Sequence, residues 1–435
     1  MTYADAEAVL LALPRFAEQG GAAFKPGLQR MHALLGAMGQ PHERFRSVHI
    51  AGTNGKGSTA SMLASIGTAA GLRVGLHTSP HLHDLAERMR LDGLPAPHDW
   101  IADAVARHRH ALATIEPSFF EATVALSFLY FAEETVDLAV VEVGLGGRLD
   151  ATNVLRPALA LVTHIDLDHA DLLGDTLEAV AREKAGIAKP GVPLLTSAEG
   201  AGVVEALRET AEARGARFAR VQDEVAVERV EEQGDRLVLD LETPVRAYPR
   251  LDVGLAGRHQ VWNAALAVRA AERVIEPLSR ADVRDGLANV KKHSGLAGRC
   301  EQLNRTPLIL ADVAHNAGGL RAALAWARGR VEGQLYVLFG TMRDKDLAAM
   351  ADALAAADVR VLPVPMPSPR SVPYSILCEV LRARGVPVID RDGAAVCDRV
   401  VWFERHAEPA DGLLATGSHL TVAAARDAVG TPSAA

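Results

Sequence analysis

The chain has 435 residues, 49% of them hydrophobic and 23% charged, which is too long for one ordinary hydrophobic core and predicts two globular domains. Its net charge of −8 argues against nucleic acid and against an anionic membrane as partners, because both bind basic surfaces. The three widely spaced cysteines argue against a disulfide framework, and the acidic first residues and the lack of a membrane-length apolar run predict a cytoplasmic protein.

A glycine-rich loop is the first pattern that carries chemistry, after a predicted amphipathic helix at 3–18. An apolar strand at 47–51 leads into Asn54-Gly-Lys-Gly-Ser58, and a helix of small residues is predicted over 59–70. Backbone N–H groups of such a loop converge on phosphate oxygens, and Lys56 would reach the β- and γ-phosphates of a nucleotide. The segment departs from the usual G-x-x-x-x-G-K-[ST], because a glycine separates the lysine from the serine. An ordinary glycine turn is the alternative.

Three more apolar runs alternate with helical patterns and predict a doubly wound, mostly parallel α/β sheet of the phosphate-loop type. These strands are expected at 73–77, 137–143 and 158–165, with helices at 99–114 and 121–134. In this fold, ligands bind at the carboxyl ends of the strands. Ser79, Glu142 and His169 stand at or after the ends of those strands, so we expect them at the same edge of the sheet as the glycine loop.

Each of these candidates has a structural alternative. A buried Glu142 must be paired, protonated or bound to a cation, and Mg²⁺, which prefers carboxylate and phosphate oxygens, is favoured over an ion pair with Arg148. For His169, a metal ligand and a hydrogen-bonded structural histidine are equally supported, and Ser79 alone would be a turn cap. Lys184, near a predicted helix end, has the pattern of a solvated cation favoured by the helix dipole.

The pattern changes after residue 220. Alternation of period two at 225–241 predicts a hairpin, and the polar segment 291–298 is the predicted boundary between domains 1–295 and 296–435. The second domain repeats the α/β alternation and is expected to be a smaller, Rossmann-like domain, with strands at 308–312, 335–339, 359–362 and 413–416. Asp312 and His315 follow its first strand as nucleotide contacts or turn caps. Arg299 is either a phosphate clamp or a surface residue.

Taken together, these segments resemble the folylpolyglutamate synthase/dihydrofolate synthase family, which is related to the Mur peptide ligases. The similarity follows the family order from about residue 25 to residue 420 and is specific as a combination. It is carried by His49-Ile-Ala-Gly-Thr-Asn-Gly-Lys-Gly-Ser58, Thr78-Ser-Pro-His-Leu82, Phe120-Glu-Ala, Glu142-Val-Gly-Leu-Gly-Gly-Arg-Leu-Asp-Ala-Thr-Asn153, His164-Ile-Asp-Leu-Asp-His169, Glu183-Lys-Ala-Gly-Ile187, Gly298-Arg299, Asp312-Val-Ala-His-Asn316 and Asp344-Lys-Asp346.

The resemblance implies roles for the matching residues, with Lys56, Glu142 and Lys184 as the catalytic ones. The ATP contacts would be Asn54, Gly55, Lys56, Gly57, Ser58, Asn263, Arg299, Asp312 and His315. The Mg²⁺ ligands would be Ser79, Glu142 and His169, and K⁺ is a further candidate cation. Lys184 would carry a CO₂-derived carbamate near a second Mg²⁺, which reverses its local interpretation as a surface cation. The pteroate pocket would be lined by Pro26, Gly27, Leu28, Ser118, Phe119, Phe120, Glu121, Leu149, Asp150 and Ala151.

The implied activity is that of a monomeric, ATP-dependent ligase that adds L-glutamate to dihydropteroate and to reduced folates through an acyl phosphate. Gly147-Arg-Leu-Asp-Ala-Thr-Asn153 resembles the bifunctional bacterial enzymes, whereas Pro26-Gly-Leu-Gln29 departs from their usual Leu-Gly-Leu-Glu. The alternatives are folate extension alone, a Mur-type ligase acting on a nucleotide-sugar peptide, and a non-catalytic ATP-binding switch protein.

Overall fold

The computed structural model describes residues 1–14, 27–391 and 393–430. Its contacts divide the chain into two compact units. The first comprises Met1–Glu231, Val238–Gly254 and Gln260–Leu296, and the second comprises Glu232–Leu237, Leu255–His259 and Ala297–Ala435. The sequence did not indicate that two short segments would group with the second unit. As a division into domains, 1–295 and 296–435 stays a prediction.

The first unit is built on an eight-stranded sheet. Its strands are β1 (Ser47–Ala51), β2 (Val74–His77), β3 (Met89–Leu91), β4 (Leu94–Pro95), β5 (Leu138–Glu142), β6 (Leu159–Val162), β7 (Leu194–Thr196) and β8 (Phe218–Arg220). Their order across the sheet is β4-β3-β2-β5-β1-β6-β7-β8. The strands from β2 to β8 in this order run parallel, and β3 and β4 add an antiparallel edge. The predicted doubly wound, mostly parallel sheet is confirmed.

The strand β1 lies between β5 and β6, and all five of its residues are buried. Its apolar residues Val48, Ile50 and Ala51 suit this position, because helices cover both faces of a parallel sheet. The carboxyl ends of β2, β5, β1 and β6 lie side by side at one edge of the sheet. Ser79, Glu142, the glycine loop and the segment 163–169 therefore follow four neighbouring strands, as the sequence indicated.

Helices pack on both faces of this sheet. They are α1 (Tyr3–Leu11), α2 (Gln29–Ala37), α3 (Lys56–Ala69), α4 (His98–Ile115), α5 (Phe119–Glu133), α6 (Ala170–Leu173), α7 (Leu177–Ala185), α8 (Ala201–Ala213), α9 (Val221–Glu224), α10 (Gln260–Val274), α11 (Arg280–Ala288) and α12 (Val290–Ser294), with 3₁₀ turns at Pro41–Glu43, Leu85–Arg88 and Ala151–Val154. On one face α1, α2, α4 and α5 form a hydrophobic core with β5. Elsewhere α3 packs against α10, α11 and α12, and α7 packs against α8.

A separate three-stranded sheet follows the eight-stranded one. Its strands are β9 (Ala226–Gln233), β10 (Arg236–Glu242) and β11 (Ala247–Val253), in the order β11-β10-β9. The hairpin predicted at 225–241 corresponds to β9 and β10. The third strand was not predicted, because the consecutive Pro249 and Arg250 interrupt its alternation.

The second unit contains a five-stranded sheet. Its strands are β12 (Glu301–Arg305), β13 (Leu308–Ala311), β14 (Leu335–Phe339), β15 (Arg360–Pro363) and β16 (Gly412–Thr416), in the order β12-β13-β16-β14-β15. Its helices are α13 (Ala317–Arg328), α14 (Leu347–Ala356), α15 (Tyr374–Ala383), α16 (Val396–His406) and α17 (His419–Gly430). The sheet is parallel except for β12, which confirms the smaller α/β domain and adds one unpredicted edge strand. Among the helices of the described ranges, none is long and apolar enough to cross a membrane.

Candidate active site

The glycine loop lies at the carboxyl end of β1, where α3 begins. The helix starts at Lys56 and not at Thr59 as predicted, because Gly55 adopts φ 90° and turns the chain into the helix just before the lysine. A side chain at residue 55 would also place its Cβ 2.4 Å from Asn263 Oδ1. Residues 56–58 therefore form the first helical turn, whose backbone N–H groups have no acceptor within the helix. Such a helix start is an anion-binding arrangement.

Lys56 folds back over this loop. Its Nζ donates to the carbonyl oxygens of Gly52 and Thr53, each at 3.0 Å. The neighbouring strand end fixes the loop from the side, because Thr163 Oγ1 donates to the carbonyl of Asn54 at 2.8 Å. A lysine held over converging backbone donors matches the chemistry of a polyphosphate.

Ser58 lies in the first turn of α3 and is buried. Its hydroxyl accepts a hydrogen bond from Gln260 Nε2 at 3.3 Å, and Gln260 Oε1 accepts one from Asn263 Nδ2 at 2.9 Å. The structure thus brings Asn263, one of the predicted nucleotide contacts, to the same loop as Ser58.

Two of the three predicted metal ligands are adjacent. Glu142 ends β5 and is buried, and the backbone N–H of Ser79 donates to its Oε2 at 3.1 Å. His169 lies after β6, two strands away from β5, with φ 53° and its Nε2 3.8 Å from Asp168 Oδ1. In residues 1–14, 27–391 and 393–430 no group of three or more His, Cys, Asp or Glu side chains could hold a metal ion. The predicted set contains only two such side chains and a serine.

Arg88 is a charged residue near Glu142 that the sequence did not single out. Burial lowers its pKa to about 10, and the carboxylate of Glu142 opposes this shift. The guanidinium also lies 5.1 Å above the centre of the Phe119 ring. Arg148, the ion-pair partner considered from the sequence, instead bonds Glu183 at 3.0 Å. No sequence signal marked Arg88, because it precedes the strand β3, whose three residues are too few for periodicity to reveal.

Lys184 lies near the end of α7 and is 4% exposed. Burial and then the charge of Lys56 lower its pKa to about 7, against the opposing effects of Asp168, Asp150 and Glu183. The local interpretation of Lys184 as a solvated cation is therefore wrong. A neutral amine is abundant at neutral pH, and it lies within electrostatic reach of the phosphate-loop lysine.

The loop 144–150 packs directly on the backbone of Lys184. The backbone N–H of Arg148 donates to the Glu183 carbonyl at 3.0 Å. A Cβ at Gly147 would lie 2.8 Å from the Glu183 carbonyl oxygen and 3.0 Å from the Cα of Lys184. The close approach of this loop to the helix therefore requires a glycine.

Ser118 and Glu121 form a capping box at the start of α5. Ser118 Oγ accepts from the Glu121 N–H at 3.2 Å, and Glu121 Oε2 accepts from the Ser118 N–H at 2.7 Å. Arg30 Nε donates to the same carboxylate at 3.2 Å. Between the two capping residues lie the half-buried phenylalanines, of which Phe120 has its ring centre 6.2 Å from that of His77. Both capping residues therefore position the helix turn that bears the rings.

Asp150 is buried and uses its carboxylate within its own loop. Oδ2 accepts from the Leu145 N–H at 2.9 Å, and Oδ1 accepts from the N–H of Thr152 at 3.0 Å and from its hydroxyl. Burial raises the pKa of Asp150, while these hydrogen bonds oppose that shift. Of its neighbours, Leu149 is half-buried and Ala151 is buried.

The remaining predicted substrate contacts lie before α2. Gly27 has φ 127°, and the carbonyl of Leu28 accepts from the N–H of His32 at 2.9 Å. Pro26 lies outside the described residues.

In the second unit, Asp312 caps the turn after β13. Its Oδ2 accepts from the Cys300 N–H at 2.8 Å, and its Oδ1 accepts from the Ala314 N–H at 2.9 Å. His315 Nδ1 lies 3.0 Å from the carbonyl oxygen two residues earlier, and Arg299 Nη1 donates to the preceding carbonyl at 3.3 Å. The turn-capping alternative is present for Asp312, and the nucleotide role of these three residues stays a prediction.

A cavity of about 490 Å³ lies away from the candidate site. It is lined by Ala158, Leu159, Pro193, Arg217, Phe218, Ala219, Arg273 and Val274. Arg273 and Val274 end α10, and the other six stand at the amino ends of β6, β7 and β8, which is the opposite edge of the sheet from the glycine loop.

Comparisons with known proteins match the chain to two family models. The family model described as the Mur ligase middle domain matches residues 50–271, and that described as the Mur ligase glutamate ligase domain matches residues 298–419. The folylpolyglutamate synthase of Lacticaseibacillus casei is 36% identical over 388 residues, which cover 86% of this chain and 88% of that protein. The dihydrofolate synthase/folylpolyglutamate synthase of Bacillus subtilis (strain 168) is 35% identical over 342 residues, which cover 76% and 79%. The solved structure of Mycobacterium tuberculosis folylpolyglutamate synthase complexed with ADP has a TM-score of 0.88 at 31% identity, covering 99% of this chain and 98% of that one.

Proposed function

Because this chain belongs to the folylpolyglutamate synthase family of the Mur ligases, we propose that it uses ATP to join L-glutamate to the carboxylates of dihydropteroate and of reduced folates. Both acceptors follow from the names of its relatives, which include folylpolyglutamate synthase and dihydrofolate synthase/folylpolyglutamate synthase. The observation that carries the proposal is the buried Lys184, whose pKa is lowered to about 7 partly by Lys56 of the glycine loop. A simple nucleotide-binding switch has no need for a second, uncharged lysine beside its phosphate loop.

The reaction has two steps in which atoms and charges balance. A carboxylate oxygen of the pteroate or folate attacks the γ-phosphorus of ATP, which forms an acyl phosphate and releases ADP. The amine of L-glutamate then attacks the acyl carbon, and the tetrahedral intermediate expels phosphate as the amine loses a proton. Lys56 and the N–H groups of residues 55–58 neutralise charge on the phosphoryl group, which is the main task of a phosphoryl-transfer site.

Lys184 is proposed to carry a carbamate. The lone pair of its neutral Nζ attacks CO₂, an N–C bond forms, and one proton leaves to solvent. Its pKa of about 7 supports this step, because only the unprotonated amine is a nucleophile. The product is an anion where the free side chain would be a cation.

The donors at the sheet edge fit Mg²⁺. Glu142 offers a buried carboxylate, which accepts from the backbone N–H of Ser79. Ser79 would add its hydroxyl and His169 its imidazole, and oxygen donors next to a phosphate loop are the preferred environment of this ion. A carbamate on Lys184 would add oxygen donors for a second Mg²⁺, and K⁺ stays a proposed further cation. When bound, Mg²⁺ supplies charge neutralisation on the phosphoryl group.

The other assignments are proposed by resemblance and local geometry. Nucleotide contacts come from Asn54 to Ser58 and from Asn263, Arg299, Asp312 and His315. Substrate contacts come from residues 26–28, 118–121 and 149–151, within which Ser118, Glu121 and Asp150 shape the segments through their own hydrogen bonds. We also propose that the protein is a monomer in the cytoplasm. Its three cysteines form no disulfide.

Phosphate release from ATP tests the function directly. Purified protein should release phosphate only when L-glutamate and a pterin acid are both present. At an ATP concentration well below the one that gives half-maximal rate in wild type, the Lys56→Ala protein, prepared in parallel, should release phosphate about tenfold more slowly or less. Mass spectrometry of the product should show one added glutamyl residue.

Three outcomes would contradict the proposal in different ways. Release with neither substrate would indicate an ATPase, and release only with a nucleotide-sugar peptide would indicate a different Mur ligase. Turnover with tetrahydrofolate but not with dihydropteroate would restrict the enzyme to folate extension.

A further inference from the structure

A series of buried polar side chains connects β1 to the loop 145–155. His49, in the middle of β1, has no exposed surface, and its Nε2 lies 2.8 Å from Thr152 Oγ1. The Thr152 hydroxyl donates to Asp150, and Asp150 accepts in turn from the Leu145 N–H at 2.9 Å. We call His49, Thr152 and Asp150 the relay. It runs from the central strand to the segment proposed to line the pteroate pocket.

The direction of the hydrogen bonds in the relay follows from the number of protons. A carboxylate only accepts, so the single hydroxyl proton of Thr152 is committed to Asp150. The Thr152 oxygen must then accept from His49, which selects the tautomer protonated at Nε2. The remaining nitrogen, His49 Nδ1, is buried and has no hydrogen-bond partner among the described residues. Burial lowers the pKa of His49 to about 3, so the ring is neutral at physiological pH.

Packing alone does not explain a polar side chain at this position of the core. In the sheet register His49 lies between Val141 and Ala160, where an aliphatic side chain would pack without leaving a ring nitrogen unpaired. Replacing both partners of a buried hydrogen bond by apolar groups is often nearly neutral for stability. Directional hydrogen bonds between buried side chains instead fix one geometry, here at the cost of one unpaired ring nitrogen. The geometry fixed here is the position of the loop relative to β1.

The same loop is tied on its other side to the end of α7. Asn153 Nδ2 donates to the Gly186 carbonyl at 3.2 Å and to the Arg148 carbonyl at 2.9 Å. Lys189 Nζ donates to the Asn153 carbonyl at 2.7 Å. The loop is therefore held between β1, which leads into the glycine loop, and the helix that bears Lys184.

We propose that His49 and Thr152 are positioning residues for the acyl acceptor: through Asp150 they hold the loop 145–155 at a set distance from the phosphate loop at the end of the same strand. The acceptor carboxylate is thereby presented to the γ-phosphorus in line. This inference rests on the proposed function, because it assigns the loop to the pterin acid. A displacement of about 1 Å in such a support costs a large factor in rate, although the support touches no reacting atom.

Matched substitutions separate positioning from stability. Thr152→Val removes the hydroxyl and keeps the shape, whereas Thr152→Ser keeps the hydroxyl. Likewise His49→Leu removes the donor, whereas His49→Gln places an amide nitrogen near the position of Nε2. We expect Thr152→Val and His49→Leu each to raise the KM for the pterin acid and to lower kcat, so that kcat/KM for the acid falls about tenfold or more. The KM for ATP should stay within about twofold. Thr152→Ser and His49→Gln, which keep a donor, should have kinetic constants near those of wild type. Combining Thr152→Val with His49→Leu should raise the KM for the acid no further than either substitution alone.

A control comes from another buried threonine of the same sheet. Thr196 on β7 is fully buried, and its hydroxyl donates to the Val162 carbonyl at 2.8 Å. Thr196→Val should lower the melting temperature without changing either KM. The inference is overturned if Thr152→Val and Thr152→Ser have the same KM for the acid, or if the KM for ATP rises equally.

A spectroscopic measurement on the wild-type protein needs no activity and no folded Thr152 variant; His49→Gln serves only to assign the signal. In a long-range ¹H–¹⁵N spectrum of [¹⁵N]histidine-labelled protein, the ring whose signals disappear in His49→Gln should be the Nε2–H tautomer. An Nδ1–H tautomer there would overturn the relay even if Thr152→Val failed to fold. If wild type does not ligate glutamate to a pterin acid at all, the proposed function fails. If it does so and the matched variants do not differ, only the positioning role fails.

Discussion

Replacing Lys184 by methionine should abolish turnover and at the same time stabilise the fold at neutral pH. Burial and the charge of Lys56 lower the pKa of Lys184 from 10.5 to about 7. Since one pKa unit corresponds to about 1.36 kcal/mol, protonating Lys184 costs about 4 to 5 kcal/mol more in the folded protein than in the unfolded chain. The side chain is 4% exposed, so solvent screening reduces this figure little.

The sign of the pH dependence follows from proton binding. Between pH 7 and pH 10.5 the unfolded chain binds the Lys184 proton and the folded protein largely does not, so the free energy of unfolding rises with pH across this window. Below pH 7 both states are protonated and the full penalty is present. Lys184→Met lacks the penalty at every pH, so it should be more stable than wild type at pH 6 to 7, and the difference should vanish towards pH 10.5.

Urea unfolding between pH 6 and pH 10 in CO₂-depleted buffer measures this difference. Bicarbonate should then stabilise wild type but not Lys184→Met, because the proposed carbamate would need the lowered pKa of the folded protein. Saturation at about 100 times the dissociation constant would add about 2.7 kcal/mol. The exposed Lys292→Met is the control and should follow the wild-type profile. Equal stability of wild type and Lys184→Met at pH 6.5, with parallel pH profiles, would refute the assignment of a buried amine with a lowered pKa.

Three further substitutions test the site around Lys184. Glu142→Gln should shift the Mg²⁺ titration of activity to higher concentration with little change in the melting temperature, and an unchanged titration would remove Glu142 from the ligand set. Lys56→Ala should raise the ATP concentration for half-maximal rate by about tenfold or more, the usual effect of losing a charged hydrogen bond to phosphate, and unaltered ATP kinetics would displace the glycine loop from the site. Gly147→Ala should destabilise the protein by about 1 to 3 kcal/mol and reduce activity, because its Cβ would lie 2.8 Å from a carbonyl oxygen of α7. The matched control is Gly36→Ala, because residue 36 has open space around it. Equal effects of the two substitutions would contradict the close approach.

The central strands of both sheets could be predicted because their apolar composition indicates burial on both faces. Leu138–Glu142 and Leu335–Phe339 are continuous apolar runs, and such runs are typical of strands buried on both faces. The strands towards the sheet edges were missed. Met89–Leu91, Leu94–Pro95, Leu194–Thr196 and Phe218–Arg220 are only two or three residues long, and Glu301–Arg305 is mostly polar. An edge strand is defined by its hydrogen-bonding neighbour, and the neighbour is not visible in a local pattern.

The same limit applies to the candidate site. The glycine loop and Glu142 carry local signals, namely a turn that needs glycine and a carboxylate in an apolar strand. Lys184 carries the opposite signal, since a lysine in the last turn of a helix is normally solvated. Its burial is produced by the loop containing Gly147, 37 residues earlier in the chain. The resemblance to a known family corrected that interpretation. Neither the local pattern nor the resemblance identified Arg88.

The place of β1 in the middle of its sheet determines which part of the first unit opens last. Its amide hydrogens are covered by pairing with β5 and β6 on either side, so their exchange with solvent deuterium requires opening close to that of the whole unit. The three-residue strand β3 and the two-residue strand β4, on one side of the sheet, need far less free energy to open. Partial denaturation should therefore fray that edge while the strand leading into the glycine loop stays protected, and nucleotide binding should outlast the first loss of secondary structure.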